Sequence, residues 1–543
     1  MSIFNEYPYT NFHELNLDWI TKQIKETDKK VDDFILETDD KIIAEVDQWL
    51  EDHPEATTTV QDNSLTASKF TEELRLKTLK DYITPEMFGA KGDGVTDDTV
   101  ALNSAFNAAY DLNKTVALLG SYLYSDIITI PTGSKIVGFN GATLKLKDNV
   151  NPGMSPIQMP NTNNVRFYNV VFDFGSQNVL NTGIHAQSTT GMLFEKCEFK
   201  NGYGYAIRTT LSEYMAFINC SFHDIDGGAS NPGGGIYGQG PKHFRILDCT
   251  FENMGDHGIY LEGDSVECKD GVISNCLFES TGTNGLTSGA AIALYSNTHH
   301  VTVDSCNFMN CREGVYVGAH GSATIMSYNI IISNCNFDIM TANGISIFGI
   351  TNGTTVNRCI IAGCTLRACG QDAISIRDVF MIKVSNNIIS SGVRYAINLS
   401  NAQQCMVAGN LLRDPGEEGL MIGYPNPANG PNMFTNNIIT TGTSYAHRDY
   451  AIYNRNSINN MFVNNFTSGF AQENFGLTNQ GNTTLYSLGV RKSVIFSNQA
   501  PIADYHNVGD MVFNSEPASG EAVGWICTVA GTPGTWRSIG TIA

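Results

Sequence analysis

Apolar and polar positions follow one repeated pattern between residues 165 and 467. Each copy has a polar residue, then Cys or Asn, then any residue and a residue that is usually apolar, and copies lie 23 to 30 residues apart. The Cys and Asn positions are Cys197, Cys220, Cys249, Cys276, Cys306, Cys335, Cys364, Asn387, Asn410, Asn437 and Asn465. Alternation with a period of two inside a longer repeat predicts short strands that stack coil upon coil.

A second motif follows each copy after a polar turn that contains glycine. It consists of a small residue, Ile or Val, any residue and an apolar residue, as in Gly258–Leu261 and Gly344–Ile347. A coil of 23 residues has a perimeter of roughly 75 Å, which accommodates three short strands and their corners. We therefore predict an all-β fold, a right-handed parallel β-helix with an N-terminal α-helical neck and a small C-terminal β-module. The handedness follows because parallel crossovers within one sheet are almost always right-handed.

The same alternation separates inward from outward side chains. The Cys and apolar positions of the first motif share one parity and point inward, as do both apolar positions of the second. Seven of the 13 cysteines lie in this repeat, where they serve as small hydrophobic residues. Stacked side chains that point the same way have poor disulfide geometry, so we expect free thiols and folding in a reducing cytoplasm. The sequence shows no Cys/His spacing of metal type, and we predict no metal and no cofactor.

The chain is predicted to divide into four parts. Residues 1–82 form an anchor and helical neck, 83–150 the N-terminal cap of the β-helix, 151–487 the parallel β-helix, and 488–543 the C-terminal β-module. The helical spacing within the neck suits an imperfect coiled coil or a helix packed on its own domain.

Two predictions concern the cap and the C-terminal module. A helix over Val100–Leu112 follows a start at 96–99, with Asp97 and Asp98 in its first turn, where the helix dipole favours acidic residues. The C-terminal module should bury Trp525 and Trp536, because so short a segment needs large apolar anchors. The module is interpreted as a cap or clamp, or alternatively as a second binding tip.

Charge and hydropathy exclude several functions. The formal net charge of −21, with no Lys/Arg cluster, argues against binding to nucleic acid. No apolar run approaches the ~20 residues that span a membrane, so we predict no membrane insertion. Met1 is followed by a polar, aromatic segment rather than a basic and then apolar one, so we predict no signal peptide.

Three stretches resemble one known family. The stretch Phe88–Thr99 (FGAKGDGVTDDT) closely resembles the opening of the pectate-lyase-superfamily β-helix of phage tailspikes. Asn11–Ile20 is similar to the start of tailspikes and pre-neck appendage proteins from phages of Gram-positive hosts, and Val508–Gly540 resembles a small module that closes many such spikes. The resemblance implies a homotrimeric virion appendage, made in the host cytoplasm and joined to other tail or neck proteins through its N-terminal segment. It also implies binding, and often cleavage, of a host surface polysaccharide or teichoic acid.

The resemblance assigns no catalytic residues. Polygalacturonase-like relatives carry paired aspartates along their coils. This chain matches that pattern only in part, at Gly255–Gly258 and Gly370–Asp372. Both fall at predicted corners and lack the second Asp, so turn structure explains them. His257 is accordingly interpreted as a turn residue.

Candidate binding residues follow from stacking outward positions of successive coils. The first outward column consists of His185, Arg208, Tyr237, Tyr260, Ala293, Tyr316, Ser346 and Ser375. The next outward column consists of Gln187, Thr210, Gln239, Glu262, Tyr295, Gly318, Phe348 and Arg377. Tyr237, Tyr260, Tyr295 and Tyr316 form a strip ~15 Å long in these two columns, and Arg208 precedes them in the first. Such rings stack on the apolar faces of sugars. A trimer contact, or a ladder that only stabilises the sheet, explains the same residues.

Candidate catalytic carboxylates lie in or near this strip. Glu262 and Asp264 share parity, so their backbones would be ~6.6 Å apart, near the ~6.5–9.5 Å separation of inverting glycosidases. Asp224 and Asp226 offer the same spacing one coil earlier. Glu417, Glu418 and Asp372 form a more distant acidic group. The sequence favours a glycan depolymerase, either hydrolase or lyase, and leaves open a purely adhesive or structural spike.

Overall fold

Parallel strands wound into stacked coils make up most of the chain that the computed structural model describes. The structure describes residues 82–150, 155–175, 182–227, 233–263, 266–282, 289–318, 327–350, 356–392, 394–423, 432–442, 450–454, 460–468, 470, 484–487, 490–491, 494–502, 506 and 508–543. The predicted N-terminal anchor and helical neck lie outside these residues. The solenoid is right-handed, with about 12 turns, which confirms the predicted parallel β-helix.

A typical coil contributes one strand to each of three faces. In one coil these strands are Tyr205–Thr210, Ala216–Ile218 and Ser221–Asp226, and each pairs in parallel with the corresponding strand of the next coil. We call these faces the first, second and third, in the order in which the chain visits them.

The strands of the first face are Ile128–Thr129, Ile157–Pro160, Thr182–Gln187, Tyr205–Thr210, Gly234–Gln239, Ile259–Glu262, Ile292–Tyr295, Val315–Gly318, Ile345–Phe348, Ile374–Phe380, Ile397–Gln403, Leu420–Ile422 and Ile452–Asn454. The strands of the second face are Tyr82–Ile83, Thr115–Leu118, Lys135–Gly138, Arg166–Tyr168, Leu193–Glu195, Ala216–Ile218, Arg245–Leu247, Cys268–Ser274, Thr298–Asp304, Ser327–Ser333, Val356–Asn357, Ile360–Ala362, Lys383–Ser385, Met406–Ala408, Met433–Thr435, Met461–Val463 and Thr484–Ser487. The strands of the third face are Asp93–Asp97, Ser121–Tyr124, Thr143–Leu146, Val171–Asp173, Glu198–Tyr203, Ser221–Asp226, Thr250–Met254, Leu277–Thr281, Asn307–Met309, Asn336–Asp338, Thr365–Arg367, Ile388–Ser390, Leu411–Arg413, Ile438–Thr440 and Phe466–Ser468. A short strand, Val490–Arg491, pairs antiparallel with Thr484–Ser487.

Like side chains stack along the inside of the solenoid, as the repeat predicts. On the third face a run of phenylalanines stacks ring on ring, and one pair, Phe308 and Phe337, has centroids 4.5 Å apart. The corner between the second and third faces is made by a residue with positive φ, such as Asn219 (φ 56°) or Asn275 (φ 55°). All 13 cysteines are buried and free, which confirms the prediction of free thiols.

The cysteines of this corner give way to a ladder of buried asparagines. The Nδ2 of Asn387 donates to Asn410 Oδ1 at 3.0 Å, and the Nδ2 of Asn410 donates to Asn437 Oδ1 at 2.9 Å. Asn437 continues the ladder to Asn465 at 2.8 Å. The side-chain oxygens also accept from backbone amides of the preceding coil, so each amide links two coils by several hydrogen bonds.

The first coil carries a helix with the predicted buried side. A 3-10 turn at Pro85–Phe88 precedes the helix Thr99–Leu112, which buries Ala101, Leu102, Ala105, Phe106 and Ala109. The prediction that Asp97 and Asp98 lie in its first turn is wrong, because Asp97 ends a strand and Asp98 is the N-cap. The Asp98 carboxylate instead accepts from the backbone amides of Lys91 at 2.7 Å and Gly92 at 3.0 Å, and so closes the preceding loop.

A separate four-stranded sheet lies near the C-terminus. Its strands are Val494–Ser497, Met511–Asn514, Gly524–Val529 and Thr535–Ser538. Trp525 and Trp536 are only half-buried, so the prediction that they are buried is wrong. Val512 and Cys527 are buried there instead.

Candidate active site on the first face

The strand register of the first face confirms the two predicted outward columns. The first column pairs Arg208 with Tyr237 and then Tyr260, and it continues through Ala293 to Tyr316. The second column runs from Glu262 to Tyr295, Gly318, Phe348 and Arg377. The aromatic side chains of both columns therefore meet on one face of the solenoid.

The four predicted tyrosines form a continuous run of rings, which we call the tyrosine strip. Centroids are 5.2 Å apart for Tyr237 and Tyr260, and 5.0 Å apart for Tyr260 and Tyr295 and for Tyr295 and Tyr316. The run extends by one ring at each end: Phe348 belongs to the second predicted column, whereas Tyr205 was not predicted. Tyr205 lies 5.2 Å from Tyr237, and Phe348 lies 5.8 Å from Tyr316 in an edge-on arrangement.

The tyrosine strip is less exposed than predicted. Tyr237, Tyr260 and Tyr316 are half-buried, and Tyr295 is only 7 % exposed, so its prediction as a solvent-facing ring is wrong. The rings of Tyr260 and Tyr316 pack against Tyr295 from either side, above two buried alanines. The ring of Tyr316 also covers Gly318, where a Cβ would lie 2.3 Å from Tyr316 Cε1. The solvent-accessible part of the strip is therefore discontinuous.

Glu262 is bound by two members of the tyrosine strip. The hydroxyl of Tyr260 donates to Glu262 Oε2 at 3.0 Å, and the hydroxyl of Tyr237 donates to Glu262 Oε1. Burial and the nearby Glu262 charge raise the pKa of Tyr260, so this phenol stays protonated at neutral pH. A half-buried carboxylate held by two neutral donors keeps a fixed orientation at the surface of the sheet.

The other predicted carboxylates are not brought to this position by the described residues. Asp264 lies outside them. Asp224 lies on the third face, where its carboxylate bonds to His223 at 2.8 Å and Asn253 at 3.1 Å, and the His223 bond lowers the pKa of Asp224. Asp226 ends the same strand, exposed. Its Oδ1 lies 2.5 Å from where a Cβ of Gly255 would be.

A column of buried polar residues beside the tyrosine strip was not predicted. The ring of His257 lies 5.0 Å from that of Tyr260, and only 2 % of His257 is exposed. His257 Nδ1 lies 3.0 Å from both the backbone nitrogen and the carbonyl oxygen of Ala290, and His257 Nε2 lies 3.5 Å from Asp256 Oδ2. Asp256 Oδ1 is buried without a hydrogen-bond partner among the described residues, and burial raises the pKa of this carboxyl.

The same column continues with Glu313 and Asp372. Glu313 is buried and accepts a hydrogen bond from Ser346, and burial raises its pKa. Asp372 is fully buried and bonds to Arg394 Nε at 2.7 Å and Asn398 Nδ2 at 3.0 Å. The interpretation of His257 as a turn residue was therefore incomplete. His257, Glu313 and Asp372 each lie two residues before an inward Ile or Val, and this shared parity was a signal that they point inward.

Neither a metal site nor a membrane helix emerges from the described residues. No group of three or more His, Cys, Asp or Glu side chains there is arranged to hold a metal ion. The described helices are all too short or too polar to cross a membrane.

Comparison with known families gives one match over most of the chain. A family model described as the right handed beta helix region matches residues 155–331 and 325–487.

Among curated proteins, the pre-neck appendage protein of Bacillus phage phi29 is 25 % identical over 339 residues, or 59 % of this chain and 36 % of that protein. The capsule K30/K69-specific depolymerase of Klebsiella phage K64-1 is 30 % identical over 193 residues, or 34 % of this chain and 23 % of that protein. The chain thus spans about a third or less of the length of these relatives. Among solved structures, the pre-mature gene product 12 of bacteriophage phi29 aligns with 16 % identity and a TM-score of 0.47, covering 76 % of this chain and 59 % of that one.

Proposed function

Because the chain belongs to the right-handed β-helix family, we propose that it is a phage tail or neck appendage that binds and depolymerises a host surface polysaccharide or teichoic acid. The relatives support the class of function, since one is named a pre-neck appendage protein and another a capsule depolymerase. In this proposal the first face carries the glycan-binding and catalytic site, and the protein is a component of the virion.

The observation that carries the proposal is the position of Glu262 between Tyr237 and Tyr260 in the tyrosine strip. Half-buried tyrosine rings offer apolar surface to the C–H faces of sugars, and their hydroxyls offer hydrogen bonds. A carboxylate fixed in such a strip can act as a general base on water or on a sugar proton. Arg208, whose guanidinium lies 5.1 Å from the centroid of the Tyr237 ring, extends the proposed binding surface.

The second catalytic carboxyl is proposed from the sequence. Asp264 keeps that role on the grounds of its spacing from Glu262, with one group protonating the leaving oxygen and the other activating water. The pair Asp224 and Asp226 ranks below it, because Asp224 lies on the third face and is bonded to His223.

The direct test is incubation of the purified full-length protein with envelope polysaccharides, followed by size-exclusion analysis. Depolymerisation is expected to shift the polymer to lower mass. New reducing ends without absorbance of unsaturated uronates would assign hydrolysis, and such absorbance would assign elimination. Binding without any shortening would reject the enzymatic part of the proposal.

A binding-only spike is the second candidate, and one observation favours it. The described residues bond Glu262 to two phenols and to no second carboxylate. The run of rings would then serve adhesion, or would stabilise the sheet, without any cleavage.

We further propose that three copies assemble as a parallel homotrimer. Outward residues of the last coils form an apolar row on the third face, with Ile388, Ile438 and Phe466 each about half exposed. A second row, Met406, Met433 and Met461, runs along the second face. Contact between copies would cover these rows. Sedimentation of the full-length protein as a monomer would reject the trimer.

The division into anchor, cap, β-helix and C-terminal module remains part of the proposal, as does anchoring through residues 1–82 to other virion proteins. Deletion of residues 488–543 tests the C-terminal module. Loss of trimers would make it a clamp, whereas intact trimers with weaker host binding would make it a carbohydrate-binding tip.

A further inference from the structure

An unpaired arginine lies at the N-terminal end of the tyrosine strip. The guanidinium of Arg208 lies over the ring of Tyr237, and its Nε is buried without a hydrogen-bond partner among the described residues. No carboxylate of those residues lies within ion-pair distance of it. Its neighbour on the preceding coil is His185, whose pKa is lowered by burial and by the Arg208 charge, so this histidine is neutral at pH 7. A half-buried cation without a counter-charge has unused hydrogen-bonding capacity.

A second arginine lies at the other end of the aromatic run. The guanidinium of Arg377 lies 4.4 Å from the centroid of the Phe348 ring and is exposed. Its only ion pair among the described residues is a loose one, 3.7 Å from Arg377 Nε to Asp378 Oδ2, and Asp378 also accepts from Asn401 at 2.7 Å. Six strand pairings separate the two arginines along the face, or ~29 Å at the ~4.8 Å spacing of neighbouring strands.

Most groups between these arginines are phenols and carboxyls, and the guanidinium of Arg312 alongside them is paired with Glu313 Oε2 at 3.9 Å. Glu262 lies two coils from Arg208 and four coils from Arg377, and Glu313 lies in the buried column alongside. The whole chain has a formal net charge of −21. An acidic polymer would be repelled by such a protein except where cations are available, so the two arginines mark the positions at which negative groups are tolerated.

We propose that the first face selects an acidic glycan, in which carboxylate or phosphate groups bind Arg208 and Arg377 while neutral parts of the chain lie over the tyrosine strip. This inference rests on the proposed function, and it adds the charge of the substrate and the residues that recognise it. The planar guanidinium carries N–H groups that can bind a carboxylate or phosphate through two parallel hydrogen bonds.

The test measures binding of the full-length protein to immobilised bacterial envelope polysaccharides that anion exchange has separated into neutral, uronate-containing and phosphodiester-containing pools. The wild-type protein is expected to bind an acidic pool and to lose affinity as salt rises. Arg208→Gln and Arg377→Gln should each weaken that binding by roughly 10-fold or more and reduce its dependence on salt. Arg358→Gln is the matched control, because Arg358 also lies over a ring, that of Tyr328, but next to the second face. It should bind like the wild type.

Chemical treatment of the bound pool identifies the anionic group. Reduction of carboxyl groups should abolish binding if uronates are recognised, and cleavage of phosphodiesters should abolish it if phosphates are. Equal, salt-insensitive binding of wild type and both arginine variants to the neutral pool would overturn the proposed selectivity and leave the glycan-binding function standing. If no pool is bound by the wild-type protein, the proposed function itself fails.

Discussion

The hydroxyl of Tyr260 donates a hydrogen bond to Glu262 Oε2 at 3.0 Å, from a residue only two positions earlier on the same strand. The two side chains share one surface because alternate residues of a strand point to the same side. Tyr237, on the preceding coil, supplies a second phenol to the same carboxylate. This arrangement links a candidate catalytic group directly to a candidate sugar-binding surface.

The substitution Glu262→Gln tests the catalytic half of this arrangement. It keeps the shape of the side chain and one acceptor oxygen, but removes the group that exchanges a proton. We expect binding to be retained and turnover to fall by roughly 10²-fold or more. Asp264→Asn should behave in the same way, whereas Glu418→Gln should leave turnover unchanged. If Glu418→Gln abolishes turnover and Glu262→Gln does not, the site lies on the later coils.

The substitution Tyr316→Ala tests the binding half. It removes a half-buried ring that does not contact Glu262, so the loss should appear in affinity rather than in turnover. We expect binding to weaken by ~1–2 kcal/mol, measured by calorimetry on a bound glycan. Tyr260→Ala should weaken binding by a similar amount. The control is Tyr328→Ala, which removes a ring stacked on His299 at the edge of the second face. Lower stability of Tyr316→Ala with unchanged affinity would show that the strip is only a structural ladder.

The fold followed from the sequence because the solenoid repeats one local rule. Period-two alternation fixes which residues of a strand point inward, and parallel stacking then places equivalent residues above one another. The columns from Arg208 to Tyr316 and from Glu262 to Arg377 could therefore be written down without coordinates. The helix Thr99–Leu112 was also predicted with its correct buried side.

The corners were harder to predict because alternation does not determine burial there. Asp256 and His257 follow a polar turn and were assigned to it, although both side chains are buried and the ring of His257 lies 5.0 Å from that of Tyr260. Alternation directs only one of two adjacent side chains inward, so the parity of His257 could not predict the burial of both. The exposure of Tyr295 was overestimated for a related reason. Outward parity shows the side from which a ring leaves the sheet, but not whether neighbouring rings cover it.

A second group of predictions concerns the stability of the solenoid, beginning with the asparagine ladder. Asn410 accepts from the backbone amide and the Nδ2 of Asn387, both at 3.0 Å, and donates to Asn437 Oδ1 and the carbonyl of Val384. Asn410→Ala leaves these buried partners unsatisfied, at ~1–3 kcal/mol for each group. We expect a clear fall in the guanidinium midpoint of unfolding. Asn336→Ala, which removes an exposed hydrogen bond to Asn307, should have little effect. Equal effects of the two substitutions would contradict a structural role for the buried ladder.

The free thiols provide a test of how tightly the coils are packed. Burial raises the pKa of Cys359 and of Cys405 to about 12, so neither forms an appreciable amount of thiolate at pH 8. Because all 13 cysteines are buried, the folded protein should react with no thiol reagent on the timescale of minutes, and all 13 should react after unfolding in guanidinium. Thr250→Cys, at an exposed position, should add one rapidly reacting thiol. Fewer than 13 reactive thiols in the unfolded, unreduced protein would show that disulfides had formed.

The buried carboxyl of Glu313 should make stability depend on pH. Because burial raises its pKa above the unfolded value of ~4.3, the folded protein holds this proton more tightly than the unfolded chain does. Protonated Glu313 therefore adds to the free energy of unfolding at low pH. This addition is lost as the pH rises from the pKa of Glu313 in the unfolded chain through its higher pKa in the folded protein. Glu313→Gln keeps an acceptor for Ser346 and removes the titrating group. The melting temperature of this variant should therefore rise relative to that of the wild type as the pH increases across this range. Glu252→Gln, at an exposed position of the third face, is the matched control and should track the wild type at every pH. A constant difference in melting temperature between Glu313→Gln and the wild type would show that Glu313 has the same pKa in the folded and unfolded states.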